Sequence, residues 1–112
     1  MSDANGTSLV WTDVGHIDDI PRLGSRVVTT PAVDIAVFRT ADDRVFALHD
    51  SCPHKAGKLS QGIVHGDSVT CPLHSWIIQL TDGMAKEPDE GCTRVVPVRL
   101  TEGRILLAAG MA

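Results

Sequence analysis

Two short segments of this 112-residue chain carry side chains that can hold a metal: Cys52-Pro-His54 and Cys71-Pro-Leu-His74, separated by residues 55–70. Thiolate and neutral imidazole are both metal ligands, and two such pairs can converge on one site if their loops face each other. Three cysteines, Cys52, Cys71 and Cys92, are an odd number. The opening MSDANGTS is short, polar and acidic, with neither the basic nor the apolar stretch of a secretory signal. A disulfide framework is therefore not expected, and metal binding is the first alternative.

Zinc is the obvious competitor, since two Cys and two His form a common structural set. Zinc fingers, however, pair Cys with Cys and His with His in short C-x₂₋₄-C and H-x₃₋₅-H segments. Here each segment supplies one ligand of each type. That division suits a binuclear centre with unequal irons, one taking both thiolates and the other both imidazoles. A zinc-holding or metal-free structural subunit stays open as an alternative, decided by iron and acid-labile sulfide content.

The elements that must position these ligands read as strands. Apolar and β-branched residues cluster in short runs, among them LVWTDV, RVVTT, VDIAVFRT, RVFALHD, SVTC, WIIQL, VVPVRL and RILLAA. Ala41-Asp42-Asp43, Thr81-Asp82-Gly83 and Thr101-Glu102-Gly103 are hairpin connections, and Gly66-Asp67-Ser68 is a turn rather than a phosphate cradle. Helical periodicity is weak; Ile17-Asp18-Asp19-Ile20, cut short by Pro21 and Gly24, allows a turn or two. Residues 52–66, with Pro53, Gly57, Gly62 and Gly66, are placed in loops, where site residues usually lie. The fold class is all-β, with a loose tail at 1–7, one domain at 8–110 and the ligand loops within 50–92.

Composition excludes other classes. Apolar residues at 43% and charged residues at 21% are ordinary for a globular domain of one core. A formal net charge of -4 and the lack of a basic tract argue against nucleic acid. No stretch approaches the roughly 20 apolar residues of a membrane span, so a cytoplasmic protein is expected.

The pattern C-x-H-x₁₆-C-x-x-H over Cys52, His54, Cys71 and His74 resembles the Rieske iron-sulfur motif. The resemblance implies an antiparallel β-sandwich with a loop-built cluster-binding subdomain and one 2Fe-2S cluster. Cys52 and Cys71 would bind the buried iron and His54 and His74 the outer one, with a third loop around Pro88 to Cys92 covering the cluster. The oxidised core then carries about zero formal charge, against a more negative value for four thiolates, so the potential should fall in the family range of roughly -150 to +300 mV. High-potential relatives have an extra Cys in each ligand segment and Ser and Tyr hydroxyls on the cluster sulfurs. Here Leu73, Trp76 and Ile78 stand at three of those positions and the chain has no Tyr, which implies the low end. A centre with no open coordination position implies electron transfer rather than catalysis by this chain alone.

The stretch from Cys52 to Trp76, followed by PDEGC and RVVPVRL, is similar to the small subunit of assimilatory NAD(P)H-dependent nitrite reductase. Ala56 and Lys58 stand where Gly and Pro are usual there. That likeness implies a large partner subunit carrying FAD, sirohaem and a further iron-sulfur cluster, and reducing nitrite to ammonium. The alternative is the free ferredoxin of an aromatic-ring dioxygenase system, serving a reductase and an oxygenase. Around the ligands, Trp76 can pack beneath the loops, Pro88 and Cys92 sit in the covering loop, and Lys55, Lys58 and His65 are candidates for partner docking, with Lys86 a further basic residue nearby. Cys92 as an inert buried thiol, His65 as an exposed loop residue and Trp11 as ordinary core are the plainer readings.

Overall fold

The structure, a computed structural model, describes residues 11–31, 33–51, 58–71, 76–86, 91 and 93–108. Among these, ten strands form three antiparallel sheets. The middle sheet has the order β2-β3-β4-β8, from Ser25–Thr29, Asp34–Arg39, Val45–His49 and Val95–Val96. A second sheet, β1-β10-β9, comprises Trp11–His16, Arg104–Ala108 and Val98–Thr101. The third is small, β5-β6-β7, from Ile63–His65, Ser68–Thr70 and Ile77–Gln79. The all-β expectation holds; the only helical pieces among the described residues are 3₁₀ turns at Ile17–Asp19 and Leu59–Gln61.

Successive side chains of a strand point to opposite faces, and β3 buries both. Ile35 and Val37 join Ala47, Val96, Ile105, Leu107, Ile17 and Ile20 in a core against the β1-β10-β9 sheet. Ala36 and Phe38 turn the other way and, with Leu48, Leu59, Val64, Val69, Cys71, Ile78 and Leu80, form a second core under the small sheet. The middle sheet is thus shared, with the β1-β10-β9 sheet on one face and the small β5-β6-β7 sheet on the other.

The hairpins fall where the turn residues put them. Asp43 at φ 66 turns β3 into β4, Glu102 at φ 51 and Gly103 at φ 81 turn β9 into β10, and Gly66-Asp67 joins β5 to β6. Two expectations need correction. Residues 52–66 are not all loop, because Ile63–His65 pairs with Ser68–Thr70 as β5; a three-residue strand among glycines lacks a periodic signature, and its partner supplies the order. The run VVPVRL is not one strand either. Pro97 has no N-H to give a ladder, so the chain leaves the middle sheet after Val96 and enters the second at Val98, while the Pro97 carbonyl accepts from Ala108 N at 3.0 Å.

Arg39 staples the far end of this framework. Its guanidinium donates to the Ile17 and Ile20 carbonyls at 3.0 and 2.8 Å and to the Asp43 carboxylate at 2.9 Å, and Arg22 grips the same carboxylate at 2.8 Å. The two guanidiniums, Arg22 first, hold the Asp43 carboxyl at about 2 against an ordinary 3.8. Trp11 is half-buried under the Arg99 guanidinium, 4.4 Å from the ring centroid, rather than being part of either core.

Candidate metal centre

The ligand positions Cys52, His54 and His74, and with them Lys55, Pro88 and Cys92, lie outside the described residues. The bases of the segments that carry them are described, and each is closed by hydrogen bonds. The first segment leaves β4 at Asp50 and returns at Ser60. The Asp50 carboxylate, 7% exposed, accepts from Ser60 N and Ser60 Oγ, both at 2.7 Å. The second leaves β6 at Cys71 and returns at Trp76, closed by Cys71 N donating to the Trp76 carbonyl at 2.7 Å. The third is closed by Ala85 N donating to the Gly91 carbonyl at 2.9 Å.

The three bases are joined to one another. Lys86 N donates to the Ile77 carbonyl at 2.8 Å, tying the third segment to the strand after the second. Thr93 Oγ1 donates to the His49 carbonyl at 3.2 Å, tying the return of the third to the strand before the first. Leu59 and Cys71 are in the second core, and Trp76 and Ala85 pack against it, so all three bases rest on one apolar cluster. The bases of three segments distant in sequence thereby meet on one apolar cluster.

Close backbone approach holds the second base in register. A Cβ on Gly62 would stand 2.3 Å from the Thr70 carbonyl oxygen and 2.9 Å from Val69 Cγ2, so only glycine lets the chain pass β6 just before Cys71. Gly83, at φ 74, similarly leaves no room between its Cα and the Thr93 carbonyl. Cys71 itself is 1% exposed. Trp76 is half-buried and packs against this cluster.

The docking candidates differ in commitment. Lys58 is exposed, with its Nζ 3.7 Å from the Asp34 carboxylate. His65 is exposed, on β5 rather than in a loop, with Nε2 2.6 Å from Thr70 Oγ1. His65 and Lys86 border a shallow polar depression of about 540 Å³ at the Gly66-Asp67 turn. That turn begins β6, whereas Cys71 and the second ligand segment follow its other end. Burial, and then the Arg94 charge, push the His49 imidazole below its ordinary value.

Asp50 and Ser60 were not singled out by the sequence. The available signal was an acidic residue two places before Cys52 and a hydroxyl next to the apolar Leu59, but nothing local says that the two meet. No helix among the described residues is long and apolar enough to cross a membrane.

The Rieske [2Fe-2S] domain model matches residues 10–98. The anthranilate 1,2-dioxygenase ferredoxin subunit of Burkholderia cepacia is 35% identical over 101 residues, 89% of this chain and 93% of its own length. A crystal structure of a candidate NADH-dependent nitrite reductase small subunit from Mycobacterium tuberculosis superposes with a TM-score of 0.80 at 27% identity, covering 89% of this chain and 95% of that one. A chain in the complex of reduced oxygenase and oxidised ferredoxin of carbazole 1,9a-dioxygenase superposes at 0.79 with 28% identity, covering 89% and 94%. Family pattern and fold agree over most of the length, and the chain belongs to the Rieske [2Fe-2S] domain family.

Proposed function

We propose that this chain is a one-electron carrier, with Cys52 and Cys71 holding one iron and His54 and His74 the other, and that it serves as the small subunit of an NAD(P)H-dependent nitrite reductase. The residues present fit a 2Fe-2S group. The donors are two soft thiolates and two imidazoles, and the one described donor, Cys71, is buried at the top of the core on which all three loop bases rest. When bound, the cluster supplies one-electron transfer without an open position for substrate. The chain's own residues place and shelter it: Trp76 limits water from below, and the closed bases fix where the ligand segments begin and end.

The observation favouring the nitrite reductase reading is the third segment. PDEGC at residues 88–92 is one of the features in which this chain resembles that small subunit, beside the stretch 52–76 and RVVPVRL, and the segment that carries it leaves a base hydrogen-bonded to β7. The large subunit would then carry FAD, sirohaem and a further iron-sulfur cluster, and the pair would work in the cytoplasm. A single domain over 8–110 with a loose tail at 1–7 belongs to the same proposal. The second reading, a free ferredoxin serving an aromatic-ring oxygenase, is favoured by the 35% identity to the anthranilate dioxygenase ferredoxin. Fold does not separate the two, since solved structures of both kinds superpose about equally well.

Native isolation from the source cells separates them. The first reading expects co-elution with a large flavin- and sirohaem-containing chain and loss of nitrite-dependent NAD(P)H oxidation when this chain is deleted. Elution alone, with electron delivery to an oxygenase, supports the ferredoxin. Iron and acid-labile sulfide should each be present at about two per chain; zinc alone would remove both readings.

A further inference from the structure

The clamp between Asp50 and Ser60 closes the first ligand segment from inside the protein. Asp50 is nearly sealed from solvent, and its two carboxylate oxygens divide the work, Oδ1 accepting from Ser60 N and Oδ2 from Ser60 Oγ, each at 2.7 Å. Both partners of this contact are themselves fixed. Asp50 N donates to the Asp34 carbonyl on β3 at 2.9 Å, and the Ser60 carbonyl accepts from Ser25 Oγ on β2 at 2.7 Å. Leu59, next to Ser60, is fully buried in the core under the small sheet.

Charge-assisted bonds of this kind are short and about twice as strong as neutral ones, and a buried carboxylate that loses them is left with an uncompensated charge. One side chain therefore joins the two ends of residues 51–59. Cys52 follows Asp50 by two residues in the sequence, so the clamp stands at the start of the segment that carries it. The same proximity places a negative charge beside the first ligand segment without making it a ligand.

We infer that Asp50 is the positioning residue of the first ligand segment, holding Cys52 and His54 for iron through Ser60 and setting part of the local negative potential. The inference rests on the Rieske-cluster reading of the chain. Asp50 touches no reacting atom; its part is to fix where the thiolate and imidazole stand. Outer contacts that orient ligands typically change metal affinity by about tenfold to a hundredfold when removed.

The test uses the full-length chain, loaded with iron and sulfide, as wild type and as Asp50→Asn, Asp50→Ala and Ser60→Ala. Iron release to a chelator is followed by loss of visible absorbance, and the midpoint potential is measured by redox titration. Asp50→Ala should release iron about tenfold to a hundredfold faster than wild type. Ser60→Ala, which keeps the backbone bond, should fall between them, and Asp50→Asn, which keeps an acceptor for Ser60 N, should release iron more slowly than Asp50→Ala. Asp50→Asn should also have a more positive potential than wild type, because a negative charge is gone; a purely structural role would leave the potential where it was. If Asp50→Ala does not fold, the potential of Asp50→Asn and the release rate from Ser60→Ala carry the test. Wild-type release rates and potential in all folded variants would overturn the inference while leaving the cluster reading intact. A wild-type chain that takes up no iron and sulfide overturns that reading, and the inference with it.

Discussion

The two faces of the middle sheet carry cores that are held in different ways. Against β1-β10-β9, the strands are four to six residues long, the β1-β10 and β9-β10 ladders run nearly their whole length, and the core is mostly Ile and Val. Against β5-β6-β7, each strand has three residues, and the apolar cluster contains Phe38, Leu48, Leu59, Leu80 and Cys71. Strands that short form few ladder bonds, so the small-sheet half leans on its packing against β3 and β4 and, among the described residues, on contacts such as Asp50 to Ser60 and Cys71 to Trp76. Among the described residues, the framework face is held by long ladders, while the bases on the other face are closed by individual hydrogen bonds. Only one face carries the three loop bases, and the described contacts tie those bases to one another.

The strongest challenge to that contrast is to remove equal volume from both cores. Leu59→Ala and Leu107→Ala each empty a site that is fully buried, so each should cost about 2–5 kcal/mol in denaturant unfolding. If the faces differ as described, Leu59→Ala should also speed iron loss from the loaded chain, and Leu107→Ala should not at equal destabilisation. Equal effects on iron retention would make the two cores one unit.

A smaller loss is expected from Gly62→Ala. The new methyl meets the Thr70 carbonyl, so backbone must move, and overpacking of this kind costs about 1–3 kcal/mol. The displaced strand is the one that leads into Cys71, so the variant's visible spectrum should change along with its melting temperature. A shifted melting temperature with an unaltered spectrum would show that the second base tolerates movement.

On the framework side, Asp43 gives a pH signature. Its carboxyl is held at about 2 by Arg22 and Arg39 against 3.8 when unpaired, so its contribution to stability is complete above 3.8 and is lost as pH falls through about 2. Asp43→Asn should flatten the acid limb of a stability-against-pH curve between those values, with little change in the cluster spectrum. Asp43 and Arg22 are solvent-exposed, so the effect should weaken as salt is added. The smallest expected change is Arg99→Ala. Loss of the guanidinium over the Trp11 ring should cost about 0.5–1 kcal/mol and alter Trp fluorescence, leaving the ligand-bearing face unaffected.

Much of the framework could be read from short-range chemistry. Turn residues at Asp43, Gly66, Gly83 and Gly103 stand where the chain reverses, and the 3₁₀ turn at Ile17–Asp19 falls where Pro21 cuts the pattern. The strand β5 was missed because three residues between glycines carry no period, and the break at Pro97 was missed because apolar residues continue on both sides of it. For the site, the residue types and spacing of Cys52, His54, Cys71 and His74 were legible, and the family they pointed to is the one the chain belongs to. Asp50 and Ser60 were not legible, since a clamp between positions ten apart exists only once the segment between them has folded back.

By itself, then, the sequence determined the candidate ligand pattern that pointed to the family, the turns and most of the strand content, because those follow from chemistry within a few neighbouring residues. Tertiary structure alone decided which half of β3 faces the site, where the chain changes sheets, and which side chains close the three loop bases. Those outcomes depend on which apolar surfaces pack together across long separations, and a contact that pairs β2 with residue 60 or β4 with residue 93 has no local signature.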